Sequence, residues 1–192
     1  MKRLFTILLV LNVSLAFAQK ADSVSAKAAK TKNVDGTLMS SSKNLIDNIS
    51  ASPEFSTLVK AINAAGLSEN LKTNTITFFA PTNLAFDKLP KGTLDTLLLP
   101  THKTDLINLI NYHAVQGNVT SKDIERQIKA GNGQATFTTL AGGSLTARIN
   151  ENRNIVLTDD NGRQSIVTRL DIEQNNGILY IVDAVLQPKA KQ

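Results

Sequence analysis

The sequence predicts an α+β domain with a helix-rich N-terminal half and an antiparallel C-terminal meander. Three observations carry this expectation. Between residue 43 and about residue 130, apolar residues recur at helical spacing, as in Phe55, Leu58, Val59 and Ile62. From about residue 145 the period becomes two, with Leu145, Ala147 and Ile149 alternating with polar residues. Two Asn-Gly pairs, at Asn161-Gly162 and Asn176-Gly177, then separate short apolar runs, and that dipeptide favours tight hairpin turns because both residues accept positive φ. Helices segregated from a meander argue against a wound βαβ sheet. No internal repeat is visible, and 192 residues suffice for one domain with a sizeable core.

Taken in order, residues 1–18 read as a secretory signal peptide. Lys2 and Arg3 are basic, residues 4–17 form a predominantly apolar run, and Ala16-Phe17-Ala18 offers a small-x-small cleavage site before Gln19. The run is too short to span a bilayer comfortably, which takes about 20 residues. Residues 19–42, rich in Ala, Ser, Lys and Thr, read as a disordered basic linker. The domain is expected over residues 43–188, with a basic tail at 189–192. Its first helix starts near Lys43 and places Leu45, Ile46 and Ile49 on one face. Ser52 as cap, Pro53 at the first helical position and Gly66 beyond the last turn bracket a second helix. An apolar β run over residues 76–80 stops at Pro81, and Thr82 or Asn83 caps a turn that carries Leu84 and Phe86 inward. A short helix over residues 93–99 ends at Pro100. Thr101 caps the next, with Leu106, Ile107, Leu109 and Ile110 inward. Thr120 and Asp123 make a capping-box start for a helix to about Ala130. Residues 155–157 and 165–170 are strands flanking the first Asn-Gly turn. The run over residues 178–185 is apolar on both faces, as in a central strand.

Three segments resemble the motifs of the fasciclin-like domain family, a secreted or surface-attached adhesion module. The first is Thr77-Phe78-Phe79-Ala80-Pro81-Thr82-Asn83-Leu84-Ala85-Phe86. The second is Leu109-Ile110-Asn111-Tyr112-His113-Ala114-Val115. The third is Asn176-Gly177-Ile178-Leu179-Tyr180-Ile181-Val182-Asp183-Ala184-Val185-Leu186-Gln187-Pro188. Their order and spacing fit one complete copy; Tyr180 stands where the family often has His. The resemblance implies a wedge of two β-sheets with helices packed alongside. It implies structural roles for Phe79, Pro81, Thr82, Asn83, Phe86, Asn176, Gly177 and Asp183. In animal members the Tyr-His stretch and an Asp-Ile pair before the closing motif are assigned to integrin recognition. Tyr112, His113, Asp171 and Ile172 are therefore the candidate partner-binding residues, although Arg169-Leu170 and Glu173 around the Asp-Ile pair depart from the animal pattern.

His113 has two readings: a recognition contact, or a half-buried imidazole bonded to a backbone or hydroxyl group that braces a helix-to-strand junction. Its apolar neighbours Ile110, Ala114 and Val115 favour the second.

Composition narrows the function further. Between Ser41 and Pro188, 13 basic residues stand against 14 acidic, so the overall charge of +5 resides on the ends of the chain. With no tryptophan and 5% aromatics there is no stacking platform either, and no nucleic-acid partner is expected. The absence of cysteine excludes disulfides, thiolate metal sites, a cysteine nucleophile and lipoprotein anchoring. Two histidines eleven positions apart make no zinc motif. Asp159-Asp160-Asn161-Gly162 lacks the ligand spacing of a calcium loop and reads as a hairpin turn. No Gly-x-Ser-x-Gly elbow or phosphate loop is present. Asn48-Ile49-Ser50 and Asn118-Val119-Thr120 fit the N-glycosylation pattern.

The expectation is an exported, non-catalytic binding module without cofactor or metal, secreted or periplasmic, cleaved after Ala18 and not stably inserted in a membrane. It would contact surface proteins or matrix and polysaccharide components, with self-association open. The alternative is a carrier of a small apolar ligand or lipid in the wedge between sheet and helices, prompted by the two-sided apolar run at residues 178–185.

Overall fold

The computed structural model describes residues 28–189. The expected signal peptide, its cleavage site and the last residues of the tail lie outside that range. The expected α+β architecture is observed, with nine strands and seven α-helices among the described residues.

Strands β1 (Thr31–Val34) and β2 (Thr37–Ser40) form a hairpin where a disordered linker was expected. The cause is local. Asp35 and Gly36 both adopt positive φ, 46° and 90°, which is a hairpin turn. On either side, Val34 and Met39 turn inward and are completely buried among the helices. Lys30 and Arg169 then pair with Glu173 and Asp35 across the join, and the Lys32 ammonium donates to the Leu170 carbonyl. The folded body therefore begins before residue 43.

The helical half comprises α1 (Leu45–Ser50), α2 (Ser56–Ala65), α3 (Ser68–Thr73), then strand β3 (Ile76–Pro81), α4 (Asn83–Asp87), α5 (Thr93–Leu97) and α6 (Lys103–Tyr112). Asn44 caps α1, and the second predicted helix opens as a 3-10 turn over Pro53–Phe55 before becoming α2. Ser52 holds the cap position without a capping bond, and its buried hydroxyl has no partner among the described residues. The cap of α6 is His102 rather than Thr101. Thr82 caps α4 by accepting from the Ala85 N–H, and Phe86 turns inward as expected. Leu84 does not: it is 68% exposed, because a five-residue helix has only one inward face and Ala85 and Phe86 occupy it.

The remaining elements are β4 (Ala114–Gln116), α7 (Ser121–Ala130), β5 (Ala135–Thr138), β6 (Ser144–Ile149), β7 (Ile155–Thr158), β8 (Gln164–Gln174) and β9 (Gly177–Val182). Helix α7 starts on a complete Thr120–Asp123 capping box. Strands β6 to β9 are the predicted meander, β5 extends it by a strand that was not expected, and the seven-stranded sheet runs β4-β3-β9-β8-β7-β6-β5. All its pairs are antiparallel except β3 with β9. The long strand β8 belongs to both halves of the sheet and bends at register shifts between Val167 and Ile172. That bend creates the wedge. The sheet curls until its outer strands meet, with Val115 bridged to Thr139 and the Leu140 N–H donating to the Ala114 carbonyl.

Strand β9 is buried along its whole length and feeds two cores. Leu179 and Ile181 join Phe78, Ala80 and Phe55 on the helical side. Ile178, Tyr180 and Val182 join Phe79, Phe137 and Leu145 inside the curled sheet. Both apolar faces of this strand are thus filled by protein, and the pattern that prompted a carrier role in the wedge is accounted for by packing.

Candidate functional site

The four candidate partner-binding residues are drawn into the protein on both sides of the sheet and do not form a free surface. Tyr112 is the last residue of α6 and is completely buried. Its hydroxyl donates to the Ser144 carbonyl (2.6 Å) and accepts the Asp160 N–H (2.9 Å), so one phenol joins α6 to β6 and to the turn after β7. Burial pushes its pKa far up, and the nearby Asp160 carboxylate adds to the effect.

His113 is buried at the junction of α6 and β4 and packs over Phe78. Its Nδ1 lies 3.0 Å from the Leu109 carbonyl, which can only accept. Its Nε2 lies 3.1 Å from the Leu186 N–H, which can only donate. These partners require the neutral ring with its proton on Nδ1. Burial lowers its pKa to about 4, against smaller opposing effects of the Leu109 carbonyl and Asp159. The bracing reading is the one observed, and a recognition contact through this ring is excluded by its burial.

Ile172 is fully buried in the helical core, so it is not a contact either. Asp171 is half-buried at the β8 bend, with φ 49°. Its carboxylate accepts the N–H and the hydroxyl of Ser121, the first residue of α7. The negative charge thus sits at the positive end of the helix dipole. The Tyr180 hydroxyl lies 2.9 Å from Asp171 Oδ1 and equally 2.9 Å from the Val119 carbonyl, and its single proton serves one acceptor at a time. Burial and then the Asp171 charge push the Tyr180 pKa upward. The expectation that Tyr112, His113, Asp171 and Ile172 form a recognition surface is therefore corrected: three are interior, and the fourth is committed to a helix N-terminus.

The residues given structural roles hold the same pattern of long-range ties. The Asn176 amide donates to the carbonyls of Leu71 (2.8 Å) and Asn74 (3.1 Å) and accepts the Leu45 N–H (3.0 Å). Gly177 passes so close to β3 that a Cβ there would stand 1.8 Å from the Ile76 carbonyl oxygen. Asn83 reaches back to Pro53, Ser56 and Thr57. Phe79 stacks on Tyr180 with ring centroids 5.3 Å apart. Asp183 accepts the Ile166 N–H and pairs with Lys88. Burial alone would raise the Asp183 pKa, but these partners and Ser165 together hold it below the ordinary carboxylate range.

Two further clamps went unread in the sequence. Buried Asp159 accepts the N–H groups of Asn161, Arg163 and Gln187, 2.9 Å each, and so fastens the β7–β8 turn to the residues after β9. An Asp two residues before a turn Asn was the available signal, since such side chains bond backbone N–H groups just ahead. Buried Asn48 bonds both backbone groups of Ser40 and the Gln174 amide oxygen, which fixes β2 against α1 and β8. This excludes Asn48 as a glycan acceptor in the folded chain, whereas Asn118 is exposed. No group of three metal-ligating side chains occurs among the described residues. Nor is any described helix long and apolar enough to cross a membrane.

With this geometry in place, comparison with known proteins is informative. The profile of the Fasciclin domain matches residues 53–188. Protein sll1483 of Synechocystis sp. is 32% identical over 160 residues, covering 83% of this chain and 81% of that one. Immunogenic protein MPB70 of Mycobacterium bovis is 32% identical over 146 residues, covering 73% and 67%. In structure, the chain is similar to a FAS1 domain pair from the insect cell adhesion molecule fasciclin I, with a TM-score of 0.65 at 18% identity, over 78% of this chain and 51% of that one.

Proposed function

We propose, from the premise that this chain belongs to the fasciclin domain family, that it is an exported, non-catalytic binding module acting in adhesion or matrix contact. The observation that carries this reading is the state of the motif residues. His113, whose ordinary pKa lies near neutral, is held neutral by burial and has both ring nitrogens occupied by backbone partners. Tyr112, Asp171, Asn176 and Asp183 are likewise tied to distant segments. Such an interior makes a rigid scaffold and leaves recognition to the outer surface.

One protein of similar fold is described as an insect cell adhesion molecule, which agrees with this reading. The partners fitting it are surface proteins or matrix and polysaccharide components, including further copies of this chain. Contacts of this kind are individually weak and gain strength by multivalent display. Deleting the gene in its own host and restoring it tests the proposal. Loss of surface attachment or aggregation that returns on complementation supports it. Unchanged attachment, aggregation and biofilm in the deletion strain would contradict it.

A further inference from the structure

An open groove of about 720 Å³ lies beside α5 and α6 and is closed on one side by residues 187–189. Its volume falls in the range of small-molecule sites, roughly 300–1,000 Å³. Leu89, Leu97 and Leu109 supply apolar lining, and Asn108 supplies an amide. The exposed lysines Lys91 and Lys189 also line it. Neither lysine pairs with an acidic side chain among the described residues. The acid in the lining, Asp105, is engaged by His102 at 2.9 Å. Three threonines and Gln187 complete the wall, and with two lysines against one aspartate the groove carries a net positive charge around its leucines.

Helix α5 has no buried residue, although Leu94 and Leu97 lie within it and Leu98 and Leu99 follow. Leu99 is 51% exposed. Leu94, Leu97 and Leu98 pack partly buried against the helical core, so what stays at water is their remaining surface and that of Leu99.

We infer that this groove binds a single-chain amphiphile with an acidic head, its alkyl chain against Leu89, Leu97 and Leu109 and its head at Lys91 and Lys189. Charge complementarity selects the acid over a neutral amphiphile, and the limited volume selects a monomer over a bilayer surface. The inference is independent of the adhesion reading.

Titration calorimetry of the full chain with decanoate tests it, with decanol as the neutral probe of equal length. Decanoate is expected to bind saturably at one site, about tenfold tighter than decanol, as one charge-assisted contact would give. The Lys91→Gln, Lys189→Gln double variant is expected to lower decanoate affinity to that of decanol and leave decanol unchanged. Leu97→Asn is expected to weaken both. Absence of saturable binding, equal affinity for the two probes, or decanoate binding unchanged in the folded lysine variant would overturn the inference. Binding seen only to decanoate-containing vesicles would likewise overturn it in favour of a membrane surface.

Discussion

The Nε2 of His113 accepts the N–H of Leu186, 73 residues further along the chain, at 3.1 Å. The bond joins the end of α6 to the segment leaving β9, and it exists only while the imidazole is neutral.

A pH dependence follows. The unfolded ring titrates near 6.5 and the folded one near 4. Between those values the unfolded chain binds a proton that the folded chain does not, so stability falls as pH falls from about 6.5 through 4. The full effect is about 3 kcal/mol. Carboxylates with lowered pKa, such as Asp183, lose stability in the same direction at lower pH. Urea unfolding of the native chain and of His113→Gln at pH 7 and pH 4.5 separates the two. The native chain should lose more stability by about 2 kcal/mol or more, and equal losses would refute the assignment.

Gly177 and Gly36 should respond differently to alanine. A Cβ at 177 meets the Ile76 carbonyl at 1.8 Å, inside the parallel β3–β9 pair. Gly177→Ala should cost more than about 4 kcal/mol or abolish folding. At Gly36 no atom stands within 4 Å, and only the positive φ of 90° is strained. Gly36→Ala should cost about 1–2 kcal/mol. Soluble yield and urea midpoints measure both.

Asn176→Asp should destabilise as much as or more than Asn176→Ala. Alanine leaves the Leu71 and Asn74 carbonyls and the Leu45 N–H without their partner, worth about 1–3 kcal/mol. Aspartate in addition turns a carboxylate oxygen toward two carbonyl oxygens. Thermal unfolding of the two variants ranks them.

The N-terminal hairpin is held by its buried pair. Met39→Ala should cost about 2–5 kcal/mol, since Met39 is completely buried. Glu173→Gln, which breaks an exposed ion pair with Lys30, should cost less than about 1 kcal/mol. Denaturant unfolding distinguishes the two costs, and a neutral Met39→Ala would mean the hairpin is dispensable.

Where a signal was local, it could be read from the sequence. The Thr120–Asp123 box, the Asn161-Gly162 and Asn176-Gly177 turns, the inward Phe86 and the fully apolar β9 all depend on neighbours within a few residues. The hairpin at residues 31–40 was obscured by Lys, Thr and Ser around it, although Asp35-Gly36 carried a turn signal and only Val34 and Met39 mark its inner side. The parallel pairing of β3 with β9 leaves no local trace, because it joins segments about a hundred residues apart and each would look the same in an antiparallel sheet. The burial of Ile172 was missed for a related reason. The register shifts in β8 decide which face each residue takes, and a shift of one position reverses every side chain.

The account holds that Tyr112 and His113 brace the interior and that recognition belongs to the outer surface. The direct test is to measure binding of Tyr112→Phe and His113→Gln to the native cell surface, alongside thermal stability, at a temperature where both variants are folded. The account predicts lowered melting temperatures with binding per folded molecule unchanged. A variant that remains folded, with native stability, yet no longer binds would contradict it.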